Sequence, residues 1–224
     1  MITPALSEAR PVFSTSFYSK VFLCFGLAIA MSALGTYLGM TYLSRFFFST
    51  PVTSYILIGL EIVLVLTARM WSQHKPLNYI LFAAFAFITG VTIVPLIAFF
   101  TMSAGGIALL VKALTATALM FGATAVFGAT TKYNLQGLRG FLVMSVIGMI
   151  IVQLIGIFVP WGNSFEMIFS GFGVAVFSGY IMYDIQQLKN YPENQYIEAA
   201  LQLYLDIFNL FIYILRLMSA LNRR

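Results

Sequence analysis

Charge is scarce in this sequence: Asp, Glu, Lys and Arg make up only 8% of its 224 residues, against about 25% in a typical soluble domain. Cysteine and histidine are scarcer still, since Cys24 and His74 each occur once. A single cysteine excludes an intrachain disulfide or a cysteine-rich zinc or iron–sulfur site, and a single histidine excludes a multi-histidine metal centre. No cofactor is expected. Because 61% of the residues are hydrophobic, the composition predicts an all-α or β-barrel integral membrane protein.

Seven long apolar runs follow one another along the chain, each near the ~20 residues that a membrane-spanning helix needs. Membrane barrels show alternating segments of about 10 residues, so these continuous runs predict an all-α protein. Short polar connections separate the runs, which indicates one seven-helix transmembrane domain over residues 18–224 after a short tail at 1–17. The predicted spans are 18–42, 52–70, 78–101, 107–128, 138–159, 165–188 and 198–218.

The basic residues predict the orientation of these spans. The net charge of +5 does not indicate nucleic-acid binding, because Lys and Arg are dispersed and not clustered with aromatic residues. An amino terminus in the cytoplasm places the larger group of basic residues inside, namely Arg10, Lys20, Arg69, Lys75, Lys132, Arg139 and Lys189. Fewer basic residues then lie outside, namely Arg45, Lys112, Arg216, Arg223 and Arg224. The last three argue against this orientation, but earlier helices usually dominate it.

Three carboxylates interrupt the apolar runs: Glu61, Asp184 and Asp206. An aspartate at a helix centre costs roughly 2.5–3.5 kcal/mol on insertion scales, so it requires a partner, a proton or a water-filled cavity. Each carboxylate could instead be protonated and hydrogen-bonded between helices. The surroundings of the two aspartates favour a functional site.

Asp206 belongs to a polar stripe along the last span. Its members recur at steps of three and four residues, the period that places side chains on one face of a helix. The stripe consists of Glu198, Gln202, Asp206, Asn209, Tyr213 and Arg216. A polar face is unsuited to lipid, so this helix is expected inside the bundle, where the stripe either lines a hydrated pathway or hydrogen-bonds neighbouring helices.

Asp184 and Asp206 lie 22 residues apart on either side of the "NYPEN" turn. A bend centred on Gln195 brings both to equal depth, and a helix that restarts directly after Pro192 places Asp206 deeper by about one or two turns. Either way both lie in the cytoplasmic half of the membrane. Two adjacent carboxylates in a low dielectric are expected to hold one proton between them, and to accept a cation when both are ionised. Oxygen ligands favour calcium or magnesium, and two carboxylates alone predict weak, transient metal binding.

The segments "GYIMYDIQQL" and "ALQLYLDIFNLFIYILR", with "FAFITGVTIVPL" and Glu61 in earlier spans, resemble a bacterial version of the Bax inhibitor-1 family of membrane proteins. The resemblance extends from the first span to the last. It implies six helices around a central seventh, a bacterial plasma-membrane location, and a pH-sensitive calcium leak controlled by a di-aspartyl sensor, here Asp184 and Asp206. Glu61 corresponds to a second-helix acid of the family.

The family resemblance also implies an arginine latch near the cytoplasmic end of the second helix, which holds the aspartates in a closed state. An ungapped match from Glu61 places Ser72 at that position. The nearby Arg69 is therefore the candidate latch, with Lys75 the next cation along the chain. Calcium ions, protons and the bilayer are the partners that this interpretation requires.

Two other functions compete with a calcium leak. An intramembrane aspartyl protease also has "YD" on one helix and an aspartate on the next, but such enzymes carry GxGD and PAL motifs, whereas this chain reads "LYLD" and has no proline after Pro192. No phosphate loop or catalytic triad is present, so an enzyme is not expected. The other competitor is a non-conducting regulator that binds a membrane protease or a survival complex, because the family includes bacterial members of that kind.

Overall fold

The computed structural model describes residues 15–43, 51–101 and 106–222. The predicted tail lies outside this part of the chain except for residues 15–17, and so do Arg10, Arg45, Arg223 and Arg224. Within the described ranges the chain forms helices and short turns, with no strand, which confirms the all-α prediction. The α-helices are α1 (Thr15–Leu38), α2 (Pro51–Leu66), α3 (Ala68–Trp71), α4 (Leu77–Thr92), α5 (Val94–Thr101), α6 (Gly106–Thr130), α7 (Leu138–Phe158), α8 (Asn163–Gln187) and α9 (Tyr196–Asn222). A π-helix, Gly39–Leu43, continues α1, and short 3-10 helices precede α7 and lie between α8 and α9.

Six helical segments of the described chain are long and apolar enough to cross a membrane. Each spans at least 24 residues, compared with the ~20 that a bilayer requires. They are Ser16–Tyr42, Leu77–Thr101, Gly106–Thr130, Leu135–Phe158, Asn163–Asn190 and Glu193–Asn222. These segments match six of the seven predicted runs to within a few residues, and they define a multi-pass membrane protein.

The remaining predicted run, 52–70, is shorter in the structure than the sequence indicated. Helix α2 has 16 residues and ends at Leu66, four residues before the predicted span does. The break falls at Thr67, whose hydroxyl donates a hydrogen bond to the Val63 carbonyl at 2.7 Å. The backbone of Thr67 departs from regular helical dihedrals, with φ −91° and ψ 2°, and this departure separates α2 from the single turn of α3.

A second interruption divides the third predicted run into α4 and α5. Helix α4 ends at Thr92 and α5 begins at Val94. Pro95 has no N–H to donate to the carbonyl of Val91, so a regular helix cannot continue through this point. The two pieces together still form the continuous segment Leu77–Thr101.

Helix α9 packs against α8, α1, α6 and α4. Its apolar side chains include Leu203, Leu210 and Leu215, each 0% exposed. Gly173 on α8 allows a close approach of α9, because a Cβ at this position would overlap the ring of Tyr213. This contact brings the polar face of α9 directly alongside α8.

Candidate functional site

Asp184 on α8 and Asp206 on α9 lie side by side within the bundle. They are 7% and 5% exposed, and their carboxyl groups are within hydrogen-bonding reach of each other. Oδ2 of Asp206 is buried and has no hydrogen-bond partner among the described residues. The helical hairpin thus brings together two acids that a low-dielectric interior cannot readily keep ionised without a cation.

The two aspartates line a cavity of about 850 Å³. Its walls come from α2, α3, α7, α8, α9 and the turn between α8 and α9, together with Phe85 and Thr89 of α4. Most of the predicted stripe lines this cavity: Glu198, Gln202, Asp206, Asn209 and Tyr213. Helical periodicity therefore identified one face of α9 correctly.

Arg216, the last member of the stripe, lies beyond the lining of the cavity. Its Nε is 2.6 Å from Oε1 of Glu166 on α8, and its guanidinium lies over the ring of Tyr213 at 5.9 Å. Gln153 of α7 donates to the Tyr213 hydroxyl at 2.9 Å and accepts from Arg216 at 3.4 Å. Side chains from three helices thus form a polar network at this end of the cavity.

At the opposite end, Gln202 interacts with the turn between α8 and α9. The Tyr191 hydroxyl donates to Gln202 Oε1 at 2.5 Å. Burial raises the pKa of Tyr191, and the nearby charges of Asp184 and Glu198 raise it further. Tyr191 therefore stays a hydrogen-bond donor across the physiological pH range.

Arg69, the predicted latch, is paired with Glu198. Its Nε lies 3.6 Å from Glu198 Oε1, and its side chain is 84% exposed. Glu198 precedes Asp206 by eight residues, or about 12 Å along a helix. The structure places Arg69 at the rim of the aspartate cavity, whereas direct contact between Arg69 and the aspartates stays a prediction.

Glu61 reaches the same cavity from α2. Its Oε1 is buried without a hydrogen-bond partner among the described residues, and the Thr92 side chain lies within hydrogen-bonding reach of the carboxyl group. The three intramembrane acids that the sequence singled out, Glu61, Asp184 and Asp206, therefore line one cavity.

The sequence did not indicate that Arg139, Tyr180 or Tyr191 belongs to the site. Arg139, near the start of α7, lines the cavity and lies close enough for its charge to act on Asp184. Tyr180 precedes Asp184 by one helical turn and lines the same wall. Tyr180 lies four residues before Asp184, and this spacing could have indicated that the two side chains share one face of α8. The position of Arg139 could not be predicted in this way, because it depends on how α7 packs against α8.

The described residues contain no group of three or more His, Cys, Asp or Glu side chains placed to hold a metal ion. Asp184 and Asp206 together offer at most four carboxylate oxygens, whereas calcium takes six to eight oxygen ligands. A calcium ion held there would retain several waters, and the donor set fits a weak site.

A multi-pass helical protein with buried carboxylates around a membrane cavity is the class that these observations define. The family model described as "Inhibitor of apoptosis-promoting Bax1" matches residues 14–223. The chain therefore belongs to the Bax inhibitor family, which confirms the resemblance seen in the sequence.

Similar proteins occur in bacteria and in eukaryotes. An uncharacterized protein of Campylobacter jejuni is 31% identical over 93% of this chain and 90% of its own length. Bax inhibitor 1 of Schizosaccharomyces pombe is 30% identical over 98% of this chain and 82% of its own. The inner membrane protein YbhL of Escherichia coli is 34% identical over 75% of this chain and 74% of its own.

Proposed function

We propose that this protein is a pH-sensitive calcium leak whose proton sensor is the pair Asp184 and Asp206. Seven membrane helices form it, with α2 as the second and α9 as the central helix, and the amino terminus faces the cytoplasm. The contacts of α9 with helices on several sides support its central place. The name of YbhL supports a bacterial inner membrane.

The observation that carries the proposal is the buried carboxylate pair on the wall of a cavity. With both groups ionised, the pair attracts a divalent cation, whereas a bound proton removes charge and competes with that cation. Calcium affinity is therefore expected to fall as the pH falls. By linkage, calcium binding should release protons.

Other charged groups around the pair set its response to pH. Arg139 of α7 lies near Asp184, and Glu61 of α2 lines the same cavity. Glu198 is paired with Arg69 at the rim. Protonation of both aspartates brings the formal charge of the lining to zero, because Arg69 and Arg139 then balance Glu61 and Glu198, and the cavity loses its attraction for calcium.

The test is calcium flux into proteoliposomes across a range of pH. Asp206→Asn cannot ionise but keeps the shape of the side chain, so it is expected to remove the pH dependence of the flux. Glu193→Gln is the matched control, because Glu193 is exposed in the turn before α9. A pH profile in Asp206→Asn like that of the parent protein would contradict the sensor role.

The same assay tests whether the aspartates act as one unit. Asp184→Asn should alter the flux, and its effect should be non-additive with that of Asp206→Asn, because residues in direct contact show coupling of about 0.5–3 kcal/mol in double-mutant cycles. Strictly additive effects on the logarithm of the flux would show that the carboxyl groups titrate independently.

A non-conducting regulator is the second candidate, favoured by the family description, which names inhibition of another protein. Its partner would be another membrane protein, and the exposed apolar residues of α7, such as Met144 and Leu154, offer a surface within the bilayer. A purified protein that admits no calcium at any pH would favour this function over the leak.

A further inference from the structure

The acidic side chains of the cavity are spread along its walls instead of converging on one point. Asp184 and Asp206 share one site between α8 and α9, Glu61 comes from α2, and Glu198 lies at the rim. The lining also contains two cations, Arg69 and Arg139. The formal charge of the lining is therefore negative when all four carboxyl groups are ionised.

The ion pair between Arg69 and Glu198 connects two walls near one end of the cavity. Asp206 is eight residues after Glu198 on the same helix, about 12 Å along its axis, whereas Glu61 lies on α2 and is separated from Arg69 by the break at Thr67. The charge of Glu61 reaches Tyr204 of α9, two residues before Asp206. Glu61 and Asp206 therefore line the same part of the cavity from different walls.

Each of these two walls presents a buried acceptor that lacks a donor. Oδ2 of Asp206 and Oε1 of Glu61 have no hydrogen-bond partner within the described residues, and Asp206 is only 5% exposed. A buried acceptor without a donor is unfavourable. Because the two acceptors belong to helices on separate walls, a ligand with a donor at each end could satisfy both.

An alkyl ammonium suits these acceptors better than a metal ion does. It carries three N–H donors and needs no shell of six to eight oxygens. The space between the acids is partly apolar and aromatic, with Val65, Val146, Phe177 and Phe208 in its lining. Methylene groups can contact the aliphatic side chains, and aromatic faces attract ammonium groups.

We propose that the cavity binds a linear aliphatic diamine or polyamine. One ammonium group contacts Asp184 and Asp206, the other contacts Glu61, and the methylene chain crosses the cavity. A volume of about 850 Å³ falls within the usual range of small-molecule sites, about 300–1,000 Å³. The binding of the diamine depends only on the cavity. The further expectation that a bound diamine blocks calcium flux, because it occupies the same aspartates, rests on the proposed function.

The test compares 1,4-diaminobutane with n-butylamine, which has the same carbon chain and only one amine. Binding is measured by isothermal titration calorimetry on the full chain in detergent micelles. Two ammonium contacts should make the diamine bind at least tenfold more tightly than the monoamine. Glu61→Gln should reduce diamine affinity to the level of the monoamine, and Asp206→Asn should weaken both ligands.

Glu193→Gln is the matched control for a general loss of negative charge, because Glu193 lies outside the cavity lining. Size-exclusion profiles and melting temperatures establish that each variant is folded. If Asp206→Asn does not fold, Glu61→Gln and the comparison of the two amines still decide the question. Equal affinity for both amines, an unchanged diamine affinity in Glu61→Gln, or an equal loss in Glu193→Gln would overturn the proposal.

Calcium flux in proteoliposomes, measured with and without the diamine, separates this inference from the proposed function. Selective diamine binding by a protein that admits no calcium would contradict the leak and support the amine site. Calcium flux that responds to pH, in a protein that does not distinguish the two amines, would support the leak and overturn the amine site.

Discussion

An ion pair lies near each end of the cavity, and the two pairs differ in construction. At one end, Arg69 approaches Glu198 at 3.6 Å with a side chain that is 84% exposed. At the other end, Arg216 approaches Glu166 at 2.6 Å, and the two side chains are 24% and 26% exposed. Gln153 and Tyr213 extend the second pair into a network. An exposed pair is worth little because water competes for both partners, whereas the shielded network joins three helices.

This difference indicates which of the two ion pairs separates more easily. When Arg69 separates from Glu198, one long contact that is already exposed to water is replaced by contacts between each side chain and water. Separation of Arg216 from Glu166 also disturbs the contacts of Gln153 and Tyr213, and Tyr213 packs directly over Gly173. Under the proposed orientation the weaker end faces the cytoplasm, and we expect rearrangement to begin there.

The largest expected effect on stability comes from Arg216→Met. This change removes a charge-assisted hydrogen bond, worth about 1.5–3 kcal/mol, and leaves Glu166 without its cation. Thermal unfolding in detergent should show a clear loss of stability, and Arg216→Lys, which keeps the charge, should show a smaller loss. Unfolding of Arg216→Met at the parental temperature would show that the network does not hold the three helices together.

A smaller effect is expected from Tyr213→Phe, which keeps the ring over Gly173 but removes the hydroxyl that accepts from Gln153. A typical hydrogen bond contributes about 0.5–1.5 kcal/mol, and the loss should be near the lower limit because the Gln153 side chain is exposed and can bond to water. The same unfolding assay measures it. A loss as large as that of Arg216→Met would mean that the tyrosine, and not the ion pair, is the centre of the network.

Arg69→Gln is expected to have the smallest effect on stability, no more than about 0.2–1 kcal/mol, as for other exposed ion pairs. The effect should vanish in 1 M salt, where the Debye length is about 3 Å, whereas the effect of Arg216→Met should persist. Parallel unfolding curves at low and high salt make the comparison. A strong, salt-insensitive loss in Arg69→Gln would remove the distinction between the two ends.

The pairing of the aspartates could be predicted because it depends on local geometry. Asp184 and Asp206 flank one short turn, and a helical hairpin with a known rise per residue brings such positions together. The polar face of α9 likewise follows from the helical period. Both features needed only the regularity of a helix, and the structure agrees with both.

Other parts of the site depend on contacts between helices distant in the sequence. Arg69 pairs with Glu198 because α3 packs near the start of α9, and Arg139 approaches Asp184 because α7 packs beside α8. Neither contact has a periodic signal. The break at Thr67 could not be predicted for another reason. Threonine side chains also bond to their own backbone in intact helices, so a threonine in the sequence does not indicate that a helix ends there.

The sequence by itself determined that this is a helical membrane protein with two aspartates on adjacent helices, because hydropathy and helical periodicity act over short distances. Only the tertiary structure decided that Glu61 reaches the aspartate cavity, that Arg69 lies at its rim, and that Arg216 belongs to a network beyond it. Those placements follow from the packing of several helices against one another, and the position of each helix depends on side chains throughout the bundle.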